Sequence, residues 1–146
     1  PDGPFDVAWS EGALFVMGFG KGLGEIRRLL RPGGWAAVSE AVYLTTDIPD
    51  EVRAFWEAEY PAIDTMAGKE EVVGRAGLEP VTSFALPGES WVRFYDDMER
   101  RVEEMAGRYK GVEAAQGVLE MFRAEVAMYR EHGDCYGYGF FVMRRP

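Results

Sequence analysis

Cysteine and histidine are almost missing from these 146 residues: Cys135 and His132 are the single examples of each. One cysteine excludes an internal disulfide and a multi-cysteine metal site, and it fits a reducing cytoplasm. No metal-ligand spacing occurs elsewhere, so no metal is expected. Any Ser-His-Asp arrangement would have to use His132, which sits beside Gly133 near a helix end, where histidine is commonly a benign terminal residue. Long hydrophobic runs are absent too, and none reaches the ~18 residues of a membrane span. Positive charge is scarce, with 16 Lys and Arg against 25 Asp and Glu and a net charge of −9. That balance argues against nucleic acid or an anionic membrane as a partner, because both are held by cations that neutralise phosphates.

What is present is apolar enough to make a core. Hydrophobic residues are 47% and aromatics 14% of the chain, and one domain over residues 1–146 is expected. The organising stretch is residues 5–41, read as strand, loop, helix, tight turn and strand. Phe5, Asp6, Val7, Ala8 and Trp9 have the length of a buried strand. Leu23, Ile26, Leu29 and Leu30 recur at helical spacing, with Arg27, Arg28 and Arg31 placed in the last turns, where cations suit the helix dipole. Pro32-Gly33-Gly34 stops that helix, and Trp35, Ala36, Ala37 and Val38 begin a second strand. A strand, a crossover helix and a strand make a right-handed parallel unit, and ligands of open sheets bind beyond the carboxyl ends of such strands. Those ends are Ser10-Glu11-Gly12-Ala13 and Ser39-Glu40-Ala41.

Further along, Pro49-Asp50-Glu51 starts a helix that Pro61 ends, with Val52, Phe55, Trp56 and Tyr60 inward. Residues 62–67 read as loop. A short helix over residues 68–76 turns Val72, Val73 and Ala76 inward and stops at Gly77. Residues 80–86 alternate as a third strand. Ser90 is expected to cap a helix containing Tyr95, Met98, Val102, Met105 and Tyr109, and a second helix follows through Val112, Ala115, Leu119, Phe122, Val126 and Tyr129. Asp97 with Arg101 and Glu104 with Arg108 are spaced for ion pairs on the wet face. Residues 136–143 close the chain as a fourth strand. The fold class is α/β.

The ordered set of Asp6, Ser10-Glu11-Gly12-Ala13, Arg31-Pro32-Gly33-Gly34 and Ser39-Glu40-Ala41, with Phe55-Trp56 and Tyr60-Pro61 beyond, resembles the second half of class I S-adenosylmethionine-dependent methyltransferases. The nearest group is the small-molecule enzymes similar to the ubiquinone and menaquinone C-methyltransferases. The resemblance implies a partial Rossmann-like sheet of four strands, two of them parallel, with the last strand inserted antiparallel beside the second. It implies S-adenosylmethionine as cofactor and a small molecule as methyl acceptor. The family's Gly-rich cofactor loop lies before the equivalent of Phe5, so the chain is expected to be a carboxyl-terminal half, inactive as a cofactor enzyme on its own.

Ser10, Glu11, Gly12 and Ala13 are the cofactor-contact candidates, because the family places this loop under the methionine and ribose of the cofactor; a solvated turn acid is the equal alternative for Glu11. Glu11 or Tyr43 is the candidate base. Trp56, Tyr60, Trp91 and Tyr95 are aromatics on segments that the family folds over its active site, and they suit a flat or apolar substrate, although ordinary core is the commoner role for each. A second pattern competes. Gly18, Gly20 and Gly24 follow the apolar Leu14-Phe15-Val16-Met17 and precede a helix and a strand ending in Glu40, as in a dinucleotide-binding fingerprint. Against it stands the credible strand ahead at Phe5. Finally, a strand at residues 5–9 without its outer neighbour leaves an apolar edge open, so a homodimer or larger assembly through that edge is expected.

Overall fold

The computed structural model describes residues 3–146; Pro1 and Asp2, part of the domain expected over residues 1–146, lie outside the described residues. The chain divides into two compact units, one of residues 1–86 with 135–146 and one of residues 87–134.

The first unit is built on a sheet of five strands. β1 is Phe5–Glu11 and β2 is Leu30–Tyr43; β3 is the two-residue Asp64–Thr65; β4 is Glu79–Ala85 and β5 is Tyr136–Arg144. The order is β1-β2-β5-β4, with β3 paired to β2 beyond the end of β1. β1 and β2 run parallel, as expected of a strand, crossover helix and strand, with Ala8 beside Ala36 and Glu11 beside Ser39. β5 lies antiparallel between β2 and β4. The sheet therefore has the strand order implied by the resemblance, with β3 added. The crossover helix α1 is Phe19–Leu29, α2 is Asp50–Glu59 and α3 is Met66–Arg75.

Side chains of alternate strand residues divide between the two sheet faces. On one face Ala36, Val38 and Val42 of β2 and Phe141 and Met143 of β5 meet Phe19, Leu23 and Ile26 of α1 and Val73 of α3 in one buried cluster. On the other, Val7, Trp9, Trp35 and Phe84 are exposed; Trp9 is 64% accessible. Trp9 and Phe84 both lie against the Phe140 ring, at 5.4 and 5.3 Å between centroids.

Several expected boundaries move. Leu30 and Arg31 are not helical. α1 ends at Leu29 and Leu30 is extended, with φ −75° and ψ 147°. Pro32 disfavours a helical backbone at the residue before it, and the chain enters β2 early. The Pro32-Gly33-Gly34 turn then sits inside the strand as a bulge: the step from Phe5 to Val7 on β1 matches the step from Leu30 to Trp35 on β2. Gly33 has φ 75° there, a conformation that glycine adopts without strain. Arg31, placed outside the helix, pairs instead with Asp6 of β1. α3 starts two residues early because the Thr65 hydroxyl caps it, accepting from the Gly68 N–H at 3.1 Å.

The second unit is an antiparallel helical hairpin of α4, Gly88–Arg108, and α5, Glu113–His132. α4 begins after Pro87, so Ser90 lies inside the first turn and does not cap it. The i,i+4 ion pairs expected on α4 are replaced by i,i+3 pairs, Arg100 with Asp97 and Arg101 with Glu104. Arg130 of α5 bridges to both Asp96 and Glu99 of α4. Within the hairpin the rings of Trp91, Tyr95 and Tyr129 stack in parallel, the last two 4.2 Å apart. No helix among the described residues is long and apolar enough to cross a membrane.

Leu30 is fully buried at the junction of α1 and β2. Leu30→Ala is expected to lower unfolding free energy by about 2–5 kcal/mol in urea titration; a loss under about 1 kcal/mol would place α1 on the periphery of the fold.

Candidate functional site

β1 stops at Glu11 while β2 runs on to Tyr43, and β3 joins β2 only at Val42 and Tyr43. Between those two neighbours, β2 carries Glu40 and Ala41 past Ser39, the last residue paired with β1. Open α/β sheets bind ligands at such ends.

The turn after β1 is fixed to β2 by Ser39. Its hydroxyl and its carbonyl both accept from the Gly12 N–H, at 3.0 and 3.2 Å, and Ser39 itself is buried. Gly12 has φ 52°, and a Cβ there would sit 2.8 Å from the Tyr138 hydroxyl oxygen. Two independent constraints thus demand glycine at that position. Ser10 is half-buried and Glu11 exposed. One oxygen of Glu11 accepts from the Trp9 indole N–H at 2.6 Å, which holds the carboxylate toward the exposed face of the sheet. Ala13 is exposed and leads into a 3₁₀ turn, Leu14–Val16.

That turn removes the strand that a dinucleotide fingerprint requires ahead of Gly18. Gly18 caps α1 from outside. Glu40, the acid that the fingerprint would set on a ribose, is 1% exposed and belongs to another arrangement. The glycine that brings α1 close to its neighbours is Gly22, where a Cβ would lie 2.9 Å from Leu14.

The arrangement around Glu40 was not among the expected sites. Glu40 on β2 and Lys69 on α3 are each 1% exposed, and Tyr60 at the end of α2 is 9% exposed. The Lys69 ammonium donates to the Tyr60 hydroxyl and to the Ala62 carbonyl, both at 2.8 Å. It lies over the rings of Phe19 and Tyr60, 4.9 and 4.7 Å from their centroids. Burial holds the Glu40 carboxyl above its usual range, against the lowering pull of the Lys69 charge, a hydrogen bond from Tyr60 and the Ala41 backbone. Burial likewise pushes the Lys69 ammonium down, opposed by the charges of Glu40 and Asp64. Tyr60 is pushed up by its own burial and by the neighbouring Glu40. A signal for this cluster existed in the sequence. Glu40 falls in the inward alternation of Ala36, Val38 and Val42, and Lys69 precedes the inward Val72 and Val73 by three and four residues.

The remaining candidates are placed as follows. Tyr43 is half-buried at the end of β2, and its burial raises the phenol further from ionising, in spite of Arg53 nearby. It therefore suits a hydrogen-bond donor better than a base at neutral pH. The Trp56 ring packs edge-on against Tyr136, 5.1 Å away, inside the sheet unit. Trp91 and Tyr95 belong to the helical hairpin and its ring stack. That hairpin also carries an open apolar groove of about 490 Å³ lined by Phe94, Met98, Val102, Met105 and Leu119, most of which were read from the sequence as helical core stripe and none as a site.

No protein-family model and no curated protein sequence matches this chain. Solved structures do. The chain resembles the [4+2]-cyclase SpnF with 25% identity and a TM-score of 0.69, over 100% of this chain and 51% of that one. It resembles an S-adenosylmethionine-dependent methyltransferase from Geobacter sulfurreducens, solved with S-adenosylhomocysteine, at 20% identity and TM-score 0.76, over 100% and 60% of the two chains. It also resembles phosphoethanolamine N-methyltransferase 2 of Haemonchus contortus in complex with S-adenosylmethionine, at 16% identity and TM-score 0.71, over 97% and 33%. The chain has the Rossmann-like fold of class I methyltransferases, and it spans between a third and three-fifths of the length of these matched proteins.

Ser39 is the tie between the two strand ends. Ser39→Ala is expected to cost about 0.5–1.5 kcal/mol of stability and to speed amide exchange at Gly12 selectively. Unchanged exchange at Gly12 would show that the backbone carbonyl alone holds the turn.

Proposed function

We propose that this chain is the carboxyl-terminal half of a cytoplasmic S-adenosylmethionine-dependent methyltransferase that acts on a small molecule. The observation that carries the reading is an unfinished sheet. Among the described residues no strand lies beside the outer edge of β1, and Val7, Trp9 and Trp35 stand uncovered on one face, in a fold that matches the methyltransferases over only part of their length. Within that class the motifs resemble the ubiquinone and menaquinone C-methyltransferases. The acid excess supports a small-molecule acceptor over nucleic acid or a membrane surface.

The residues present fit one side of the cofactor. S-adenosylmethionine supplies an activated methyl on a cationic sulfur. Ser10, Glu11, Gly12 and Ala13 would meet its methionine and ribose end. Glu11 brings a carboxylate toward positive charge, and the missing Cβ at Gly12 lets the backbone approach closely. Tyr43 orients an acceptor by donating its phenol proton into a hydrogen bond. Positioning and exclusion of water are the main contributions such a site makes to methyl transfer. Because the matched proteins include a [4+2]-cyclase, the fold by itself does not fix the chemistry. The coding sequence ahead of Pro1 tests the reading: a frame encoding a strand, a Gly-x-Gly-x-Gly loop and a downstream acid supports it, and an unrelated segment overturns it.

The open edge favours a second reading, in which the isolated chain is non-catalytic and covers itself with another copy. An antiparallel pair of β1 strands centred on Ala8 would set Val7 against Trp9 of the other copy and would oppose no two carboxylates. In calorimetric titration the isolated chain is expected to show no saturable S-adenosylmethionine binding below about 1 mM; tight stoichiometric binding would contradict the half-domain reading. Light scattering of the isolated chain at about tens of micromolar is expected to give a dimer or larger, reduced to monomer by Trp9→Glu; a wild-type monomer defeats self-association.

A further inference from the structure

The buried cluster at the carboxyl end of β2 does something that methyl transfer does not require. Its two charges are unequally satisfied. The Lys69 ammonium has the Tyr60 hydroxyl, the Ala62 carbonyl and two aromatic faces around it. The Glu40 carboxylate has the Tyr60 hydroxyl and the Ala41 backbone, and its Oε2 is buried with no hydrogen-bond partner among the described residues. Burying an ionised carboxylate with one oxygen bare is costly, and such a group gains by binding a proton. Of the two, Glu40 carries the bare oxygen and gains more by taking up a proton.

The groups enclosing Glu40 are carried by one connection. Tyr60 ends α2, Ala62 lies in the link, Asp64 is in β3 and Lys69 is in the first turns of α3. The backbone pairing of this link to the sheet is short. β3 contributes two residues of pairing, Asp64 beside Val42 and Thr65 beside Tyr43. Beyond that pairing, Met66 at the start of α3 packs against the core cluster, and Lys69 ties Tyr60 and Ala62 together beside Glu40.

We propose that residues 60–69 form a proton-coupled strap over the carboxyl end of β2: the strap closes as Glu40 takes up a proton and loosens as Glu40 releases it. Tyr60 and Lys69 are positioning residues in this device. The charged and titratable groups facing it are Lys69 from α3, Tyr60 from α2 and Glu40 from β2, with Asp64 from β3 acting on Lys69. The direction follows from proton linkage. A carboxyl whose affinity for protons is higher when enclosed than when solvated stabilises the enclosed state fully below its ordinary value of 4.5, and that stabilisation is lost as pH rises through the higher, enclosed value. Loosening would bare the end of β2 next to the Ser39–Gly12 tie, on the ligand side of the sheet. The inference does not depend on methyl transfer, and its test needs no cofactor.

The test is amide exchange by NMR on the whole chain between pH 5 and 8, read as protection relative to intrinsic rates. The reporters are the Ile63 N–H, bonded to the Tyr60 carbonyl, and the Gly68 N–H, bonded to the Thr65 hydroxyl. Their protection is expected to fall by up to about tenfold per unit as pH rises from the ordinary carboxyl value of 4.5 toward the enclosed value of Glu40, and to level off above that value, while Val38 and Phe141 in the sheet stay protected. Glu40→Gln, which mimics the protonated acid, is expected to hold the protection constant across the range. Tyr60→Phe removes a hydrogen bond that favours the charged carboxylate and is expected to move the transition to higher pH; it serves if Glu40→Gln does not fold. Flat protection in the wild type, the same fall in Glu40→Gln, or a downward move in Tyr60→Phe overturns the proposal.

Discussion

The fold depends on β2 being paired on both sides. Its register with β5 runs unbroken from Trp35 beside Arg144 to Tyr43 beside Tyr136, and its register with β1 runs along the opposite side from Val7 to Glu11. A strand so enclosed must put apolar side chains on the face that a helix covers, and Ala36, Val38 and Val42 do so. α1 exists to return the chain from the end of β1 to the start of β2 in the same direction, and its apolar stripe of Phe19, Leu23 and Ile26 is the surface that this return buries. The length of β2 then sets the ligand side. It outruns β1 by the residues 40–43, and the buried polar residues Ser39, Glu40 and Lys69 gather where that extra length begins.

Two kinds of polar tie meet there, and they differ in what burial does to them. Ser39 is a neutral hydroxyl with a single short task, and its burial is compensated by the Gly12 N–H. Glu40 is a charge one residue further on, pointing to the helix-covered face, where desolvation outweighs the attraction of Lys69. Neutral ties make the turn rigid; the ionisable one makes its cover conditional on protons. The same face of the sheet is thus both the core and the most delicately balanced place in it. The opposite face has the reverse character: Trp9, Trp35 and Phe84 are apolar and bare, a pattern that marks a surface made to be covered.

The architecture was legible because it rests on periodicity and punctuation. The crossover helix could be read from Leu23 and Ile26, the end of it from Pro32, the first two strands from short apolar runs on either side of it, and the strand over residues 80–86 from its alternation. Their order, β1-β2-β5-β4, came from the family resemblance, since no local pattern encodes which strands pair. Leu30 was misread because it continues the helical stripe and is buried either way; Pro32 keeps Arg31 from being helical, and the chain is already extended at Leu30. The two residues of β3 are too few to carry a period. At the site, Ser10, Glu11 and Gly12 stood out by position at a strand end. Glu40 stood out only as an acid at a strand end and Lys69 not at all, because charged residues are read first as solvated, and only the sheet brings two such residues, distant in the chain, into one enclosed space. The division into a sheet unit and a helical hairpin left no mark in composition.

The central proposal is that the edge of β1, open among the described residues, is finished by the remainder of a methyltransferase. The direct measurement is amide exchange along β1 in the isolated monomeric chain and again with the segment encoded upstream added. The account predicts that alternate amides between Phe5 and Glu11, those facing away from β2, exchange freely in the monomer and become protected when the upstream segment binds, together with quenching of solvent access to Trp9. Protection of all β1 amides in the monomer, or no change on adding that segment, would contradict it.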